Sequence, residues 1–269
     1  MTSDPPPGPD EAFWREYLTR GHSAERAARR FLIRIPSEPR CSLCAAPFGG
    51  IGAPVMRLIG KRPSDRSPKI CGQCYTFLSD HRGGAEIECT MLFADIRGST
   101  TLAEGMSAGA YHDLLNRFYG TASRVVFAHD GAVDKFVGDE LVAFFYPLLA
   151  GGRHASKGIE AARALLAATG HADPTGAWVP LGAGVHTGQV WMGAIGDGTH
   201  VELTAVGDAV NVAARLASAA TAGEIVVSVD AATAGGLDPS LERHRLELKG
   251  KQVATEVVRL RVDPIPATT

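Results

Sequence analysis

The most constraining stretch of this chain is AVDKFV–GD–ELVAFF, residues 132–145. Two apolar runs meet at Gly138-Asp139, a two-residue pair of the kind that closes a tight β-hairpin. The segments around it alternate. Ile87 to Ile96 reads as a buried strand, and Ser107 to about His129 has helical spacing, with Leu114, Leu115, Phe118, Val125 and Val126 as core candidates. After the hairpin come an Ala- and Leu-rich helix over Gly158 to about Thr169 and strands at Leu181–Val185, Gln189–Ala194 and Val201–Val206. Asp208 caps a helix running from Ala209 to about Ala219. This β-α-β-β-α-β order predicts an α+β chain with a ferredoxin-like core and extra elements at the C-terminal end. Such a fold serves many functions, so the sites must identify this one.

Composition narrows the class. The 269 residues are 45% hydrophobic and 21% charged, with 27 basic and 29 acidic side chains for a net charge of −2. Residues 1–88 carry thirteen basic and ten acidic side chains, and the remainder fourteen and nineteen. That imbalance is too mild for a nucleic-acid arm, which needs a clustered basic face. The longest apolar run, Leu141–Ala150, is broken by Pro147 and falls far short of the ~20 residues that span a bilayer. With a proline-rich start in place of a signal peptide, the expectation is a cytoplasmic protein with neither membrane nor nucleic acid as partner. Four parts are expected: a disordered start and N-terminal helices over 1–40, a cysteine module over 41–85, a main domain over 86–262 and a tail over 263–269.

Two carboxylates stand out. Asp95 ends its strand just before Arg97-Gly98-Ser99-Thr100, and Asp139 lies in the hairpin tip 44 residues later. In this topology the two strands are neighbours, so the carboxylates can converge. Beside a small glycine turn they can hold divalent cations while backbone N–H groups face phosphate. Each Asp by itself is equally ordinary turn chemistry. Asn211 and Arg215, four apart on one helix face, make a donor set suited to a phosphoryl transition state, or else a solvated face. Lys135 by itself reads as a snorkelling strand lysine.

Taken together, FADIRGSTTLAE (93–104), KFVGDELVAFF (135–145), GVHTGQV (184–190) and TAVGDAVNVAARL (204–216) resemble the catalytic domain of class III nucleotidyl cyclases, over roughly residues 86–260. The resemblance implies that Asp95 and Asp139, with the Ile96 carbonyl, bind two Mg²⁺ or Mn²⁺ ions. It implies that Asn211 orients the ribose, Arg215 stabilises the transition state, and Lys135 and Thr204 read the base. Gly98, Ser99 and Thr100 then border the phosphates, and Lys249 or Lys251 reaches the terminal ones. Lysine with threonine is similar to the adenine-reading pair of the threonine subgroup, so the expected function is an adenylate cyclase turning ATP into 3′,5′-cyclic AMP and pyrophosphate. The resemblance also implies a homodimer in which each site takes Asp95 and Asp139 from one subunit and Lys135, Thr204, Asn211 and Arg215 from the other. The alternatives are a guanine or pyrimidine nucleotide cyclase, or a silent nucleotide- or metal-binding regulatory module. VGDEL is superficially similar to the GGDEF of diguanylate cyclases but lacks the double glycine.

The N-terminal third holds two C-x2-C pairs, Cys41/Cys44 and Cys71/Cys74, with 26 residues between them. Two such knuckles complete a tetrahedral four-thiolate site, which fits a structural Zn²⁺ with no open position for catalysis. An iron–sulfur cluster, a redox disulfide pair and reduced spectator thiols are the other readings. Residues 45–70 read as a solvated loop, Cys89 as a buried hydrophobe and His186 as structural. The sequence names no regulator.

Overall fold

The computed structural model describes residues 9–21, 23–197, 200–248 and 254–262. Of residues 1–9, expected to be disordered, 1–8 lie outside those residues, as does the tail at 263–269, whereas Pro9 begins the first helix. The chain separates into two compact units, one formed within residues 1–88, 146–151 and 189–207, the other within 89–145, 152–188 and 208–269.

The strands are β1 (Gly83–Ile96), β2 (Ala132–Val137), β3 (Glu140–Phe145), β4 (Leu181–Asp197), β5 (His200–Val206), β6 (Glu224–Ser228), β7 (Arg243–Leu246) and β8 (Thr255–Arg261). They form a sheet in the order β2-β3-β1-β4-β6-β8-β7, with β5 paired to β4. The β2-β3-β1-β4 half is the ferredoxin-like arrangement. β6 adds in parallel to β4, with Ala183 opposite Ile225, and β7–β8 completes the C-terminal extension. One expectation is corrected: Leu181–Val185 and Gln189–Ala194 belong to a single strand that runs through Gly188 without a break.

In the second unit, α6 (Ala108–Ala128) and α8 (His154–Ala168) cover one sheet face. Ser107 starts α6 by accepting the Ala110 N–H at its hydroxyl, 3.2 Å. Phe118, Ala122 and Val126 of α6 and Ile159, Leu165 and Leu166 of α8 pack with Leu92, Ala94, Leu141, Ala143 and Phe145. Each fully buried Leu or Phe here contributes about 1.5–3 kcal/mol. The helix α9 (Asp208–Ala219) lies with Val212 and Leu216 against Val226 and Val257 in a second cluster. It can come that close because a Cβ on Gly184 would stand 2.2 Å from the Ala217 nitrogen and 2.7 Å from the Ala213 oxygen. Short helices α5 (Ser99–Glu104) and α10 (Val229–Ala234) complete the unit. His186 is buried and bonded to the Ser228 hydroxyl at 2.8 Å, as a structural histidine should be, and Cys89 is fully buried.

In the first unit, α1 (Pro9–Thr19), α2 (Ser23–Ile33), α3 (Ala53–Leu58), α4 (Gly72–Asp80) and α7 (Pro147–Ala150) surround the cysteines. Trp14 and Leu18 are fully buried, and Tyr17 packs on Phe77 of α4 with ring centroids 4.9 Å apart. The terminal carbonyls of α2 are taken up by Arg40, whose guanidinium donates to Leu32 O at 2.8 Å, Ile33 O at 3.3 Å and Ile35 O. That supplies partners for groups a helix C-terminus leaves unbonded. The 45–70 segment is more than a loop, since it contains α3, which exposes Val55 and Leu58. No helix among the described residues is long and apolar enough to cross a membrane.

Candidate active site

Antiparallel pairing of β1 with β3 sets Asp95 directly opposite Glu140. Val137 pairs with Glu140 across the β2–β3 hairpin, which makes Gly138-Asp139 its two-residue turn. Gly138 takes φ 61°, the left-handed value that the first turn position of such a hairpin requires. The tip is anchored by α6: the Tyr119 hydroxyl donates to the Gly138 carbonyl, and its ring stacks on Phe136 with centroids 4.0 Å apart. Asp139 is thereby brought to Asp95, and Glu140 adds a third carboxylate.

Arg97 is the local counter-charge. Its guanidinium grips the Asp95 carboxylate and also donates to the carbonyls of Ser218, at 3.2 Å, and Ala220, at 3.4 Å, at the end of α9. Its own N–H donates to Pro180 O at 2.8 Å. Even so, burial, a hydrogen bond with Asp139 and the Asp139 charge push the Asp95 carboxyl up to about 6. Burial and the neighbouring charges of Asp95 and Asp139 push Glu140 to about 7. Carboxylates crowded so that they resist ionisation are a donor set that a divalent cation would relieve. An open pair suits Mg²⁺, which uses one or two carboxylates and completes its sphere with water and phosphate.

Ile96 follows Asp95 and is buried, and Gly98, in the left-handed region at φ 68°, starts α5 with Ser99 and Thr100 in its first turn. A Cβ on Gly98 would meet nothing within 4 Å, so this turn faces open space. Lys135 sits on β2 with its ammonium 3.3 Å from Asp134. Thr204 sits on β5, opposite Gly193 of β4. Asn211 and Arg215 share the outward face of α9, whose inner face is Val212, Ala213, Leu216 and Ala217. Arg97 meets the far end of that helix, and seven residues at 1.5 Å each put Asn211 roughly 10 Å along the axis from Ser218. Lys249 and Lys251 lie outside the described residues.

Residues 85–259 match the family described as the adenylate and guanylate cyclase catalytic domain. The chain belongs to this family. Adenylate cyclase 1 of Rhizobium meliloti is 35% identical over 146 residues, covering 51% of this chain and 22% of that protein. The chain therefore spans under a quarter of that relative's length. The adenylyl cyclase CyaB from P. aeruginosa superposes with a TM-score of 0.57 at 28% identity, over 68% of this chain and 97% of that one. The guanylyl cyclase Cya2 shares the fold with a TM-score of 0.62 at 24% identity, over 69% of this chain and 98% of that one.

Sequence reasoning overlooked two residues that the fold brings to this carboxylate cluster, Arg97 and Glu140. Arg97 had a local signal, two residues after Asp95 and so able to reach back to it. Glu140 becomes apparent only when the hairpin register is counted out from Gly138-Asp139.

Outside the matched region, Cys41, Cys44, Cys71 and Cys74 converge. They are the one group of three or more potential metal-ligating side chains among the described residues whose donor atoms all lie within 4.8 Å of one another. All four are free thiols. The Cys71 N–H donates to Cys41 Sγ at 3.3 Å, and Lys61 Nζ stands 3.6 Å from Cys44 Sγ. Hydrogen bonds from the other three thiols, aided by the Lys61 ammonium, hold the Cys44 thiol far below its ordinary range, and the protons so shared hold Cys41 and Cys74 above it. A cation bound by all four sulfurs would displace these shared protons to solvent, since only the thiolates bind a metal.

Proposed function

We propose that this chain is an adenylate cyclase that converts ATP to 3′,5′-cyclic AMP and pyrophosphate at sites shared across a homodimer. The observation that carries it is the convergence of Asp95, Asp139 and Glu140 at the end of β1, next to the open Gly98 turn. Asp95 and Asp139, with the Ile96 carbonyl, would hold the divalent cations. Mg²⁺ or Mn²⁺, when bound there, lowers the pKa of the ribose 3′-hydroxyl and neutralises the triphosphate.

The chain's own groups supply the rest. Lys135 and Thr204 hold the adenine edge, and Asn211 fixes the ribose so that its 3′-oxygen stands in line with the α-phosphorus. That oxygen loses its proton to solvent and bonds to phosphorus as the bond to the pyrophosphate oxygen breaks. Arg215 offsets the charge building on the phosphoryl oxygens, a role worth roughly 10³-fold or more in related transfers. Support for a shared site comes from α9: Arg97, which grips Asp95, adjoins its C-terminal end, whereas Asn211 projects outward roughly 10 Å further along the helix axis. A second protomer brings the Asn211–Arg215 face to the carboxylates. In the same reading the four N-terminal thiolates hold one structural Zn²⁺ and take no part in catalysis.

The test is turnover of ATP, GTP, CTP and UTP by the purified chain with Mn²⁺ or Mg²⁺, with products identified by mass spectrometry. Cyclic AMP from ATP, lost in Asp139→Ala, is the expected result. A cyclic guanine or pyrimidine nucleotide would keep the mechanism and move the substrate. No product from any of the four would leave a nucleotide- or metal-binding module.

A further inference from the structure

We propose that the four-cysteine centre governs nucleotide affinity by holding β5, the strand that carries Thr204. The inference rests on the assignments just made, Zn²⁺ to the thiolates and Thr204 to the adenine edge, and adds a connection between them.

The chain of contacts lies within the first unit. The two cysteine knuckles are tied together, since the Ser42 N–H and hydroxyl both donate to Lys69 O, at 2.9 and 3.2 Å. Cys71 is the N-cap of α4 and Cys74 lies in its first turn, so a metal bound to both fixes where that helix begins. The helix packs against β5. Beside that contact, Lys69, two residues before Cys71, reaches Glu202 of β5 at 3.3 Å.

Leu203 is the critical residue of β5. A cavity of about 260 Å³ is lined by Cys44 and Cys74 on the metal side and by Leu32, Phe77, Leu149 and Leu203. Successive strand side chains point to opposite faces, so with Leu203 turned to this cavity, Thr204 is turned away from it. The metal module thus backs the strand one residue from the position that meets the base. Among the described residues β5 pairs with no strand but β4, so its further support is this packing together with the Lys69–Glu202 pair. Strands paired on one side and poorly packed on the other open at low cost. With the metal gone, the first turn of α4 loses its cross-link to the Cys41–Cys44 knuckle, Leu203 loses its backing, and Thr204 shifts. Substrate binding weakens, while the carboxylates and Arg215, which belong to the other unit, stay as they were.

The experiment uses the full chain and Zn²⁺ itself. Purified protein should contain about one zinc per chain by atomic emission. Stripping it with a high-affinity zinc chelator, followed by dialysis, should speed amide hydrogen exchange across residues 201–206. It should also raise the KM for Mn²⁺-ATP about tenfold with kcat changed less than about twofold, and added Zn²⁺ should reverse both. Leu203→Ala leaves every thiolate in place, so it should retain zinc and reproduce the KM effect. Iron in place of zinc, unchanged exchange in 201–206 after stripping, or an unchanged KM in an active protein would each overturn the proposal. If β5 responds to zinc and no nucleotide is turned over, the hold on β5 is upheld and the cyclase reading is what fails.

Discussion

Asp95 stands across the β1–β3 ladder from Glu140, and burial raises both carboxyls, Asp95 to about 6 and Glu140 to about 7. Each binds its proton more tightly folded than unfolded, where carboxyls titrate near 4. Their contribution to stability is therefore greatest below about pH 4 and is lost as pH rises through 6 and 7. A divalent cation that replaces those protons reverses the loss. Mn²⁺ should raise the melting temperature by several degrees at pH 8 and by almost nothing at pH 5. Equal shifts at the two pH values would remove these carboxyls from the metal site.

Mixing inactive variants tests the shared site. Asp95→Ala and Arg215→Ala should each lower turnover at least 10³-fold. Combined, they form heterodimers in which one of the two sites keeps both residues, so up to about a quarter of wild-type activity should return. A mixture as inactive as its components would mean that each chain builds its site alone.

Gly184 sets the seat of α9. An alanine there would drive its Cβ into the Ala217 nitrogen at 2.2 Å, and backbone cannot rotate aside. Gly184→Ala should cost about 1–3 kcal/mol of stability and displace Asn211 and Arg215 together. We expect kcat for ATP to fall more than tenfold in the fraction that remains folded by circular dichroism, because small misplacement of catalytic groups is costly. Retention of full kcat would show that α9 is not placed by this contact.

His171 gives a second pH signature of opposite sign. Its Nε2 accepts the Leu181 N–H at 3.0 Å at the start of β4, and burial holds its pKa below the ordinary value. The ring is neutral in the fold and takes up a proton on unfolding, so its stabilisation is present above about pH 6.5 and declines below it. His171→Ala should cost about 1–2 kcal/mol at pH 8 by leaving the Leu181 N–H unpaired, and less at pH 5. Chemical denaturation at the two pH values checks this, and an equal cost at both would contradict it.

Local rules carried much of the fold. Gly138-Asp139 announced the hairpin, Ser107 the start of α6, and the alternating apolar runs the β-α-β-β-α-β order, because turn geometry, capping and periodicity act over a few residues. The same rules separated Leu181–Val185 from Gln189–Ala194, whereas β4 runs through both and through Gly188 between them. Glycine is a turn signal only where nothing pairs with its backbone, and here both flanking stretches belong to one strand.

The sequence by itself determined which chemistry is available: two aspartates at strand end and hairpin tip, an Asn–Arg pair on one helix face, and two cysteine knuckles. These are choices of residue type at short spacing, and they survive without knowledge of the neighbours. Tertiary structure alone decided who meets whom. It paired Asp95 with Glu140, closed Arg97 onto the end of α9, brought Cys41 and Cys44 to Cys71 and Cys74, and turned Leu203 rather than Thr204 toward the metal module. Those outcomes depend on strand register and on contacts between distant segments, and a shift of one residue in β5 would exchange its two faces.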